Sequence, residues 1–278
     1  MNLLFVVSHP DDESLWAGGL LHGFSRFHGV NLYVICVSGG DLNSPRSKEF
    51  KAAITIAGCK YGVVLDRPLR PALSPLPKVA DSIKEGLDII GLKVSDVNIL
   101  ISHPPYGDEH MHPHHIQTSK ECYAWCLQNK IPFACFTCLP LPNCSLRSLL
   151  QNMNRLGALQ LLNMAKCHYS LLNTIIQQFR PKPWLYPILY TQWLVDINIK
   201  KQMLECYRSI DLASHREGYA MFTSNVESLL FYDNQGVALI QSLIDRMDVP
   251  GCTNLFNENS NFKTRIKIVM KKLLSGAS

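Results

Sequence analysis

The sequence predicts an α/β fold: a Rossmann-like parallel sheet flanked by helices. Three observations support this prediction. Short, continuous apolar runs recur along the first half of the chain, segments with helical periodicity separate them, and polar turn residues follow them. A strand that is apolar throughout is buried on both faces, and alternating strands and helices are typical of parallel sheets. With 278 residues, 47% of them hydrophobic, the chain can bury a sizeable core.

Apolar, β-branched runs predict five strands, and three-and-four spacing of apolar residues predicts three helices between them. The strands are expected at 3–8, 31–38, 62–65, 97–102 and 131–137, and the helices at 15–27, 47–57 and 79–90. Residues 146–180 favour helix and are expected to form a lid or helical cap. After a proline-rich bridge, 188–195 is expected to return to the sheet, and 197–208 is predicted to be an amphipathic helix.

No internal repeat or linker divides the chain, so we predict one domain over residues 1–278, with 210–278 as its helical C-terminal extension. The apolar run 3–7 is too short for a secretory signal and soon meets three acidic residues. No run reaches the ~18 apolar residues of a membrane-spanning helix. Ten cysteines in 278 residues are too sparse for a disulfide scaffold. We therefore expect reduced thiols and a cytoplasmic location.

The net charge of +5 is confined to one part of the chain. It is supplied by five cations in the C-terminal tail: Lys263, Arg265, Lys267, Lys271 and Lys272. The remainder is balanced, and it shows no basic face interrupted by aromatic residues, as nucleic-acid binders usually do. We therefore do not expect nucleic acid to be a partner.

The first polar motif, Ser8-His9-Pro10-Asp11-Asp12-Glu13, directly follows the first predicted strand. Open α/β sheets bind ligands at the carboxyl ends of their strands. If His9 and Asp12 point the same way, their side chains can bind a divalent metal ion, and Asp11 remains beside the open coordination position as a base. The alternative is an exposed helix N-terminus, where acidic residues in the first turn complement the helix dipole.

The second polar motif runs from His103 to His115, after the predicted strand 97–102, and contains five of the ten histidines. Such a density of imidazoles at the end of a central strand indicates a ligand site; a solvated polar loop is the alternative. Two imidazoles and one carboxylate, with a position left for water, form the pattern of catalytic zinc. We therefore predict one Zn²⁺ per chain. Zinc lowers the pKa of water to about 7, which indicates a hydrolase.

These residues resemble the LmbE-like/PIG-L superfamily of zinc-dependent deacetylases, which remove acyl groups, typically acetyl, from N-acetylglucosamine-type amino sugars. The family's opening motif, His-Pro-Asp-Asp-Glu, is unbroken at residues 9–13. The similarity continues through the Gly-rich turn at 38–41 and the helix that contains Arg46 and Glu49. Residues 195–209 are similar to the family's C-terminal signature, so the resemblance covers residues 1–209.

The resemblance implies roles for individual side chains. His9, Asp12 and His115 would bind the zinc ion, and Asp11 would be the general base. His112 would be the catalytic histidine, which stabilises the oxyanion when it is protonated.

The implied reaction removes an N-acetyl group from an amino sugar in a nucleotide sugar, a glycoside or a glycolipid precursor. Arg46 would contact the sugar or its phosphate, because its planar guanidinium suits such oxygens. A salt bridge from Arg46 to Glu49 is the alternative. Two other functions stay open: an inactive relative that binds zinc or carbohydrate, and a deacylase that acts on a non-sugar amide.

The second motif departs from the family pattern. The family usually has His-Pro-Asp-His, whereas this chain has His-Pro-His-His at residues 112–115, so that His114 replaces a carboxylate. His110 stands where the family often has a tyrosine. If the loop is reshaped, His114 or His110 could replace His115 as the third ligand.

The C-terminal segment 262–274 interleaves apolar residues with the five cations at roughly helical spacing. Such a helix can lie on an anionic membrane surface, or its apolar stripe can pack on the domain while the lysines face water. We predict at most reversible membrane contact. Sedimentation with anionic liposomes should be salt-sensitive and should disappear when residues 263–278 are removed. Equal pelleting of the full-length and truncated proteins would eliminate the membrane role.

Overall fold

The computed structural model describes residues 1–40, 43–67, 74–105, 107, 112–137, 189–209, 226–244 and 254–255. The strands in these ranges are β1 (Asn2–Val7), β2 (Asn31–Cys36), β3 (Tyr61–Val64), β4 (Ile99–Ser102), β5 (Phe133–Thr137), β6 (Leu189–Leu194), β7 (Val226–Phe231) and β8 (Asn254–Leu255). The α-helices are α1 (Asp12–Ser25), α2 (Pro45–Ile56), α3 (Val79–Ile90), α4 (Pro113–Asn129), α5 (Ile197–Glu205) and α6 (Asn234–Ile244).

All these strands belong to one sheet, with the order β3-β2-β1-β4-β5-β7-β6-β8. β1 lies near the centre and pairs in parallel with β2 on one side and β4 on the other. The first five strands along the chain are parallel to one another, whereas β7 pairs antiparallel with both β5 and β6. The predicted fold, a mostly parallel sheet flanked by helices, is confirmed.

The sheet is buried on both faces because alternate residues of its central strands enter different core layers. In β1, Leu3, Phe5 and Val7 face one layer, and Leu4 and Val6 face the other. Helices α1, α2, α5 and α6 contribute to the first layer, and α3 and α4 contribute to the second. The continuous apolar run of β1 is thus the sequence signature of a strand covered on both sides.

Strand β6 lies within the segment 188–195 that is expected to return to the sheet, whereas strands β7 and β8 and helix α4 are not predicted by the sequence. The helix α4 begins within the histidine-rich stretch, where polar residues mask its periodicity. The region 210–278, expected to be a helical extension, is in part sheet, because β7 lies between β5 and β6. The buried run of β7 has no alternation to separate it from a buried helix.

Two predicted segments, the lid or cap at 146–180 and the basic segment 262–274, lie outside the described residues. Within the described part of the chain, no helix combines the length and the apolar character needed to cross a membrane.

A fully buried ion pair joins three elements on one side of the sheet. Lys200 of α5 donates from Nζ to Oε1 of Glu227 on β7 at 2.6 Å, and both side chains are completely buried. The Glu227 carboxylate also accepts hydrogen bonds from the backbone amides of Gly19 and Leu20 in α1, at 3.2 and 2.8 Å. Glu227 therefore fixes the positions of α1 and α5 relative to the sheet.

Replacing Glu227 with Gln should lower the free energy of unfolding by about 3–5 kcal/mol, because it leaves the buried Lys200 ammonium without a counter-charge. Urea denaturation measures this loss. The matched control is Glu85→Gln: Glu85 pairs with Arg67, but its side chain is 47% exposed, so its loss should cost less than about 1 kcal/mol. Similar losses in the two variants would contradict the role assigned to Glu227.

Candidate metal centre

The first motif forms a tight turn between β1 and α1. The backbone amide of His9 donates to Oδ2 of Asp12 at 2.7 Å, which folds the Asp12 carboxylate back over the end of the strand. Asp11 has a φ of 120°, a strained conformation for a residue other than glycine. The Asp11 amide donates to Oε2 of Glu13 at 3.1 Å, and its carbonyl accepts the amide of Leu15 at 2.8 Å. Hydrogen bonds on both sides of Asp11 therefore hold the strained turn.

Glu13 is a supporting residue to which the sequence analysis assigned no role. It is completely buried and accepts hydrogen bonds from the hydroxyls of Ser14, at 2.6 Å, and Tyr207, at 2.5 Å, as well as from the Asp11 amide. Burial raises the pKa of Glu13 to about 7, and the hydrogen bonds from Ser14 and Tyr207 oppose that rise. Glu13 and Tyr207 both belong to sequence motifs, but they lie 194 positions apart in the chain, so the sequence does not predict their contact.

The second motif brings its histidines to the same edge of the sheet. His103 directly follows β4, which pairs with β1, and His112 is the N-cap of α4. The imidazole Nδ1 of His112 accepts the backbone amide of His114 at 3.2 Å, and Pro113 occupies the first helical position, where proline is favoured. His114 and His115 follow in the first turn, and both are buried.

The side chains of His9, Asp12 and His115 converge, as expected for a common ligand set. His9 Nδ1 lies 3.4 Å from Asp12 Oδ2, and His115 Nε2 lies 3.2 Å from Asp12 Oδ1. The nitrogen atoms His9 Nδ1 and His115 Nε2 are 3.4 Å apart. Two imidazole nitrogens and a carboxylate in such proximity have the donor chemistry of a catalytic zinc site, so the residues present fit this metal.

The two adjacent carboxylates have pKa values displaced in opposite directions. Burial alone would raise the pKa of Asp12, but the imidazoles of His115 and His103 hold it well below its usual range. Burial, reinforced by the charge of Asp12, raises the pKa of Asp11 well above its usual range, and Arg46 opposes this rise. Such a separation is typical of neighbouring carboxylates that have different roles.

His112 lies against the converging side chains. Its ring centroid is 5.0 Å from that of His9 and 4.7 Å from that of His115. Burial, followed by the effect of the imidazole of His115, lowers the pKa of His112 to about 3. Together with His9 and His115, it forms one of the groups in this structure whose ligand atoms could hold a metal ion.

His103 is the site residue that sequence reasoning missed. It is completely buried, its Nε2 accepts the amide of Ser8 at 3.1 Å, and the same atom lies 3.3 Å from Asp12 Oδ2. Its ring stacks on that of His115, with centroids 4.0 Å apart and planes at 13°. Asp12, His103 and His115 form a second group able to hold a metal ion. The available signal was its position as the first residue after a central strand.

Arg46 contacts Asp11, the residue that the family resemblance implies as the general base. Its Nη2 donates to Asp11 Oδ2 at 3.0 Å, and its Nε donates to the carbonyl of Pro10 at 3.2 Å. Glu49, the alternative partner considered from the sequence, accepts the backbone amides of Arg208 and Ser209 at 3.0 and 2.8 Å.

His114 and His110 are the two alternatives to His115 as the third ligand, and the structure describes His114. Neither ring nitrogen of His114 faces the point where His9 Nδ1, Asp12 and His115 Nε2 converge: Nδ1 lies 2.8 Å from the other ring nitrogen of His9, Nε2, and Nε2 of His114 lies 2.8 Å from the carbonyl oxygen of Ser74. His110 lies outside the described residues.

Comparison with known proteins gives a family match over the first part of the chain. The family model described as PIG-L, GlcNAc-PI de-N-acetylase, matches residues 4–126, and the resemblance seen in the motifs is thereby confirmed. A probable N-acetylglucosaminyl-phosphatidylinositol de-N-acetylase of Schizosaccharomyces pombe is 35% identical over 65 residues. That alignment covers 22% of this chain and 25% of the relative, so the match spans about a quarter of the relative's length.

Several deacetylases are among the solved structures to which this chain is similar. The N,N'-diacetylchitobiose deacetylase from Pyrococcus horikoshii has 21% sequence identity and a TM-score of 0.36, over 54% of each chain. The zinc-inhibited form of the teicoplanin deacetylase Orf2 has 15% identity and a TM-score of 0.47, over 94% of this chain and 100% of that one.

Replacing Tyr207 with Phe should destabilise the protein by about 1–3 kcal/mol at about pH 8, and by less at about pH 5. The hydroxyl of Tyr207 stabilises the ionised form of Glu13, which has a pKa of about 7. The contribution is therefore present above that pKa and fades as the pH falls through it. Urea denaturation at the two pH values measures the difference.

The control for this experiment is Tyr61→Phe, because Tyr61 lies on β3 and is 47% exposed. Its loss should change stability little, and equally at both pH values. An equal cost of Tyr207→Phe at high and low pH would show that the hydroxyl does not act through the Glu13 charge.

Proposed function

We propose that this chain, whose residues 4–126 match the PIG-L family model, is a zinc-dependent N-deacetylase that acts on an N-acetylglucosamine-type amino sugar. The observation that carries the proposal is the convergence of His9, Asp12 and His115, with distances of 3.2–3.4 Å between their donor atoms. These three residues are the proposed ligands of one Zn²⁺ per chain. The family match supports a deacetylase, and the donor set supports zinc.

Asp11 is the proposed general base. Zinc at this site would supply a Lewis acid that polarises the amide carbonyl and makes water more acidic. Asp11 directly precedes the ligand Asp12, and its pKa is raised, so it can take a proton from the attacking water and pass it to the leaving amine. The contact from Arg46 Nη2 at 3.0 Å orients the Asp11 carboxylate.

His112 is the proposed oxyanion stabiliser, in its neutral form. Its pKa of about 3 makes a protonated ring unavailable near neutral pH. Because Nδ1 accepts the amide of His114, the single proton of the neutral ring resides on Nε2. The Nε2–H group can therefore donate a hydrogen bond to the oxygen that becomes negative as water attacks. This replaces the protonated imidazole expected from the sequence.

The proposed substrate is an amino sugar within a nucleotide sugar, a glycoside or a glycolipid precursor. Arg46 is proposed to contact it as well as Asp11: a guanidinium has five N–H donors, and its contacts with Asp11 and Pro10 leave donors for a sugar or phosphate oxygen. We also propose a cytoplasmic location. The buried thiols of Cys36, Cys122 and Cys126, which form no disulfide, support it.

Asp11→Asn should reduce acetate release from N-acetylglucosamine derivatives by about 10²- to 10⁴-fold in kcat, because it removes the proton acceptor. The zinc content should be unchanged, because the three proposed ligands are intact. Acetate assay and metal analysis on the same samples measure both quantities. The matched control is Asp88→Asn, at an exposed position of α3, which should keep wild-type turnover.

Wild-type turnover in Asp11→Asn would eliminate Asp11 as the base. Wild-type protein that binds zinc and sugars tightly but releases no acetate from any of them would identify a binding protein instead. Release of acyl groups only from simple, non-sugar amides would keep the chemistry and refute the sugar substrate.

A further inference from the structure

His114 stands where the family motif has a carboxylate, and it links the site to a backbone carbonyl. Its side chain is buried, with Nδ1 2.8 Å from His9 Nε2 and Nε2 2.8 Å from the carbonyl oxygen of Ser74. The rings of His9 and His114 have centroids 5.0 Å apart. Three groups from distant parts of the chain, the end of β1, the start of α4 and the segment before α3, thus form one hydrogen-bonded row.

The contact with the Ser74 carbonyl determines which ring nitrogens in this row carry a proton. A carbonyl oxygen only accepts hydrogen bonds, so the Ser74 carbonyl requires a proton on His114 Nε2. A neutral imidazole has only one N–H, so His114 Nδ1 is an acceptor. With both rings neutral, the hydrogen bond between them is then donated by His9 Nε2. His9 Nδ1 consequently carries a lone pair, and this is the atom 3.4 Å from both Asp12 Oδ2 and His115 Nε2.

We propose that His114 is a positioning residue that holds His9 in the Nε2–H tautomer and thereby presents His9 Nδ1 as a ligand atom. The inference rests on the metal site of the proposed function, although the tautomer itself is a property of the metal-free protein. Metal-binding histidines generally donate their second N–H to an acceptor that fixes the ring. In this chain the proposed acceptor is His114 Nδ1, and the Ser74 carbonyl takes the other ring nitrogen of His114 as its donor.

Two substitutions separate the two contacts of His114. In His114→Asn, the side-chain carbonyl oxygen takes approximately the place of Nδ1, so the acceptor for His9 is kept and the contact with Ser74 is lost. In His114→Gln, the amide group reaches toward the place of Nε2, so the contact with Ser74 is kept and the acceptor for His9 is lost. The matched control is His28→Gln, because His28 is an exposed histidine in the turn after α1.

The first readout is the tautomer of His9 in the metal-free protein. Nitrogen-15 NMR of the imidazoles at about pH 8, above the ordinary histidine pKa of about 6.5, distinguishes the two forms, and a His9→Gln variant assigns the signal. Wild-type, His114→Asn and His28→Gln proteins should show His9 protonated on Nε2. In His114→Gln, His9 should become a mixture of tautomers.

The second readout is the affinity for zinc alone, measured by competition with a chelator. His114→Gln should bind zinc roughly 10- to 100-fold more weakly, whereas His114→Asn should stay near the wild-type value.

A wild-type His9 protonated on Nδ1, or an unchanged tautomer or zinc affinity in His114→Gln, would overturn the inference. Failure of the wild-type protein to bind zinc would refute the proposed function instead, because the NMR result for metal-free wild-type protein would still decide the tautomer. If His114→Gln fails to fold, the wild-type spectrum and the Asn variant decide the matter.

Discussion

The buried carboxylate of Asp12 is the interaction on which the rest of the site depends. Its Oδ2 accepts the His9 amide at 2.7 Å, and imidazole nitrogens of His103 and His115 lie 3.3 and 3.2 Å from its oxygens. A buried carboxylate costs several kcal/mol unless opposite charge or hydrogen bonds compensate it. β1 cannot supply that compensation alone. The parallel pairing of β1 with β4 brings the histidines that follow β4 to the same edge of the sheet. The burial of the Asp12 charge therefore depends on this strand pairing.

The support for this edge comes from parts of the chain beyond the family match at residues 4–126. The strained backbone of Asp11 costs about 1–3 kcal/mol, and the Glu13 carboxylate that holds its amide is itself buried. Glu13 is stabilised by Tyr207, which lies two residues after α5, and α5 is fixed to the sheet by the ion pair between Lys200 and Glu227. Antiparallel β7 is therefore part of the structure that maintains the turn, even though its residues do not reach the reacting groups.

The sequence predicted the elements whose pattern is local. The first five strands have apolar runs, the helices α1, α2 and α3 have helical spacing, and the two polar motifs follow strands that are neighbours in the sheet. Helix α4 is not predicted because a histidine-rich start conceals its period, and strand β7 is not predicted because Glu227 and Ser228 interrupt its apolar run without giving a period-2 alternation. Contacts of single side chains could not be predicted either. That Arg46 pairs with Asp11, and that His103 faces Asp12, depends on how residues 35 and 91 positions apart pack.

The departure at His114 shows how a motif difference can concern charge rather than geometry. A carboxylate and a neutral imidazole at this position can each accept a hydrogen bond from His9 Nε2–H. Either group would therefore leave His9 Nδ1 as a ligand atom. The buried cluster already contains the carboxylates of Asp11, Asp12 and Glu13. A further carboxylate would add a negative charge that burial penalises, whereas an imidazole adds no negative charge, and Nε2 of His114 has a partner in the Ser74 carbonyl. On this argument the substitution alters the electrostatics around the proposed zinc site and retains its three ligands.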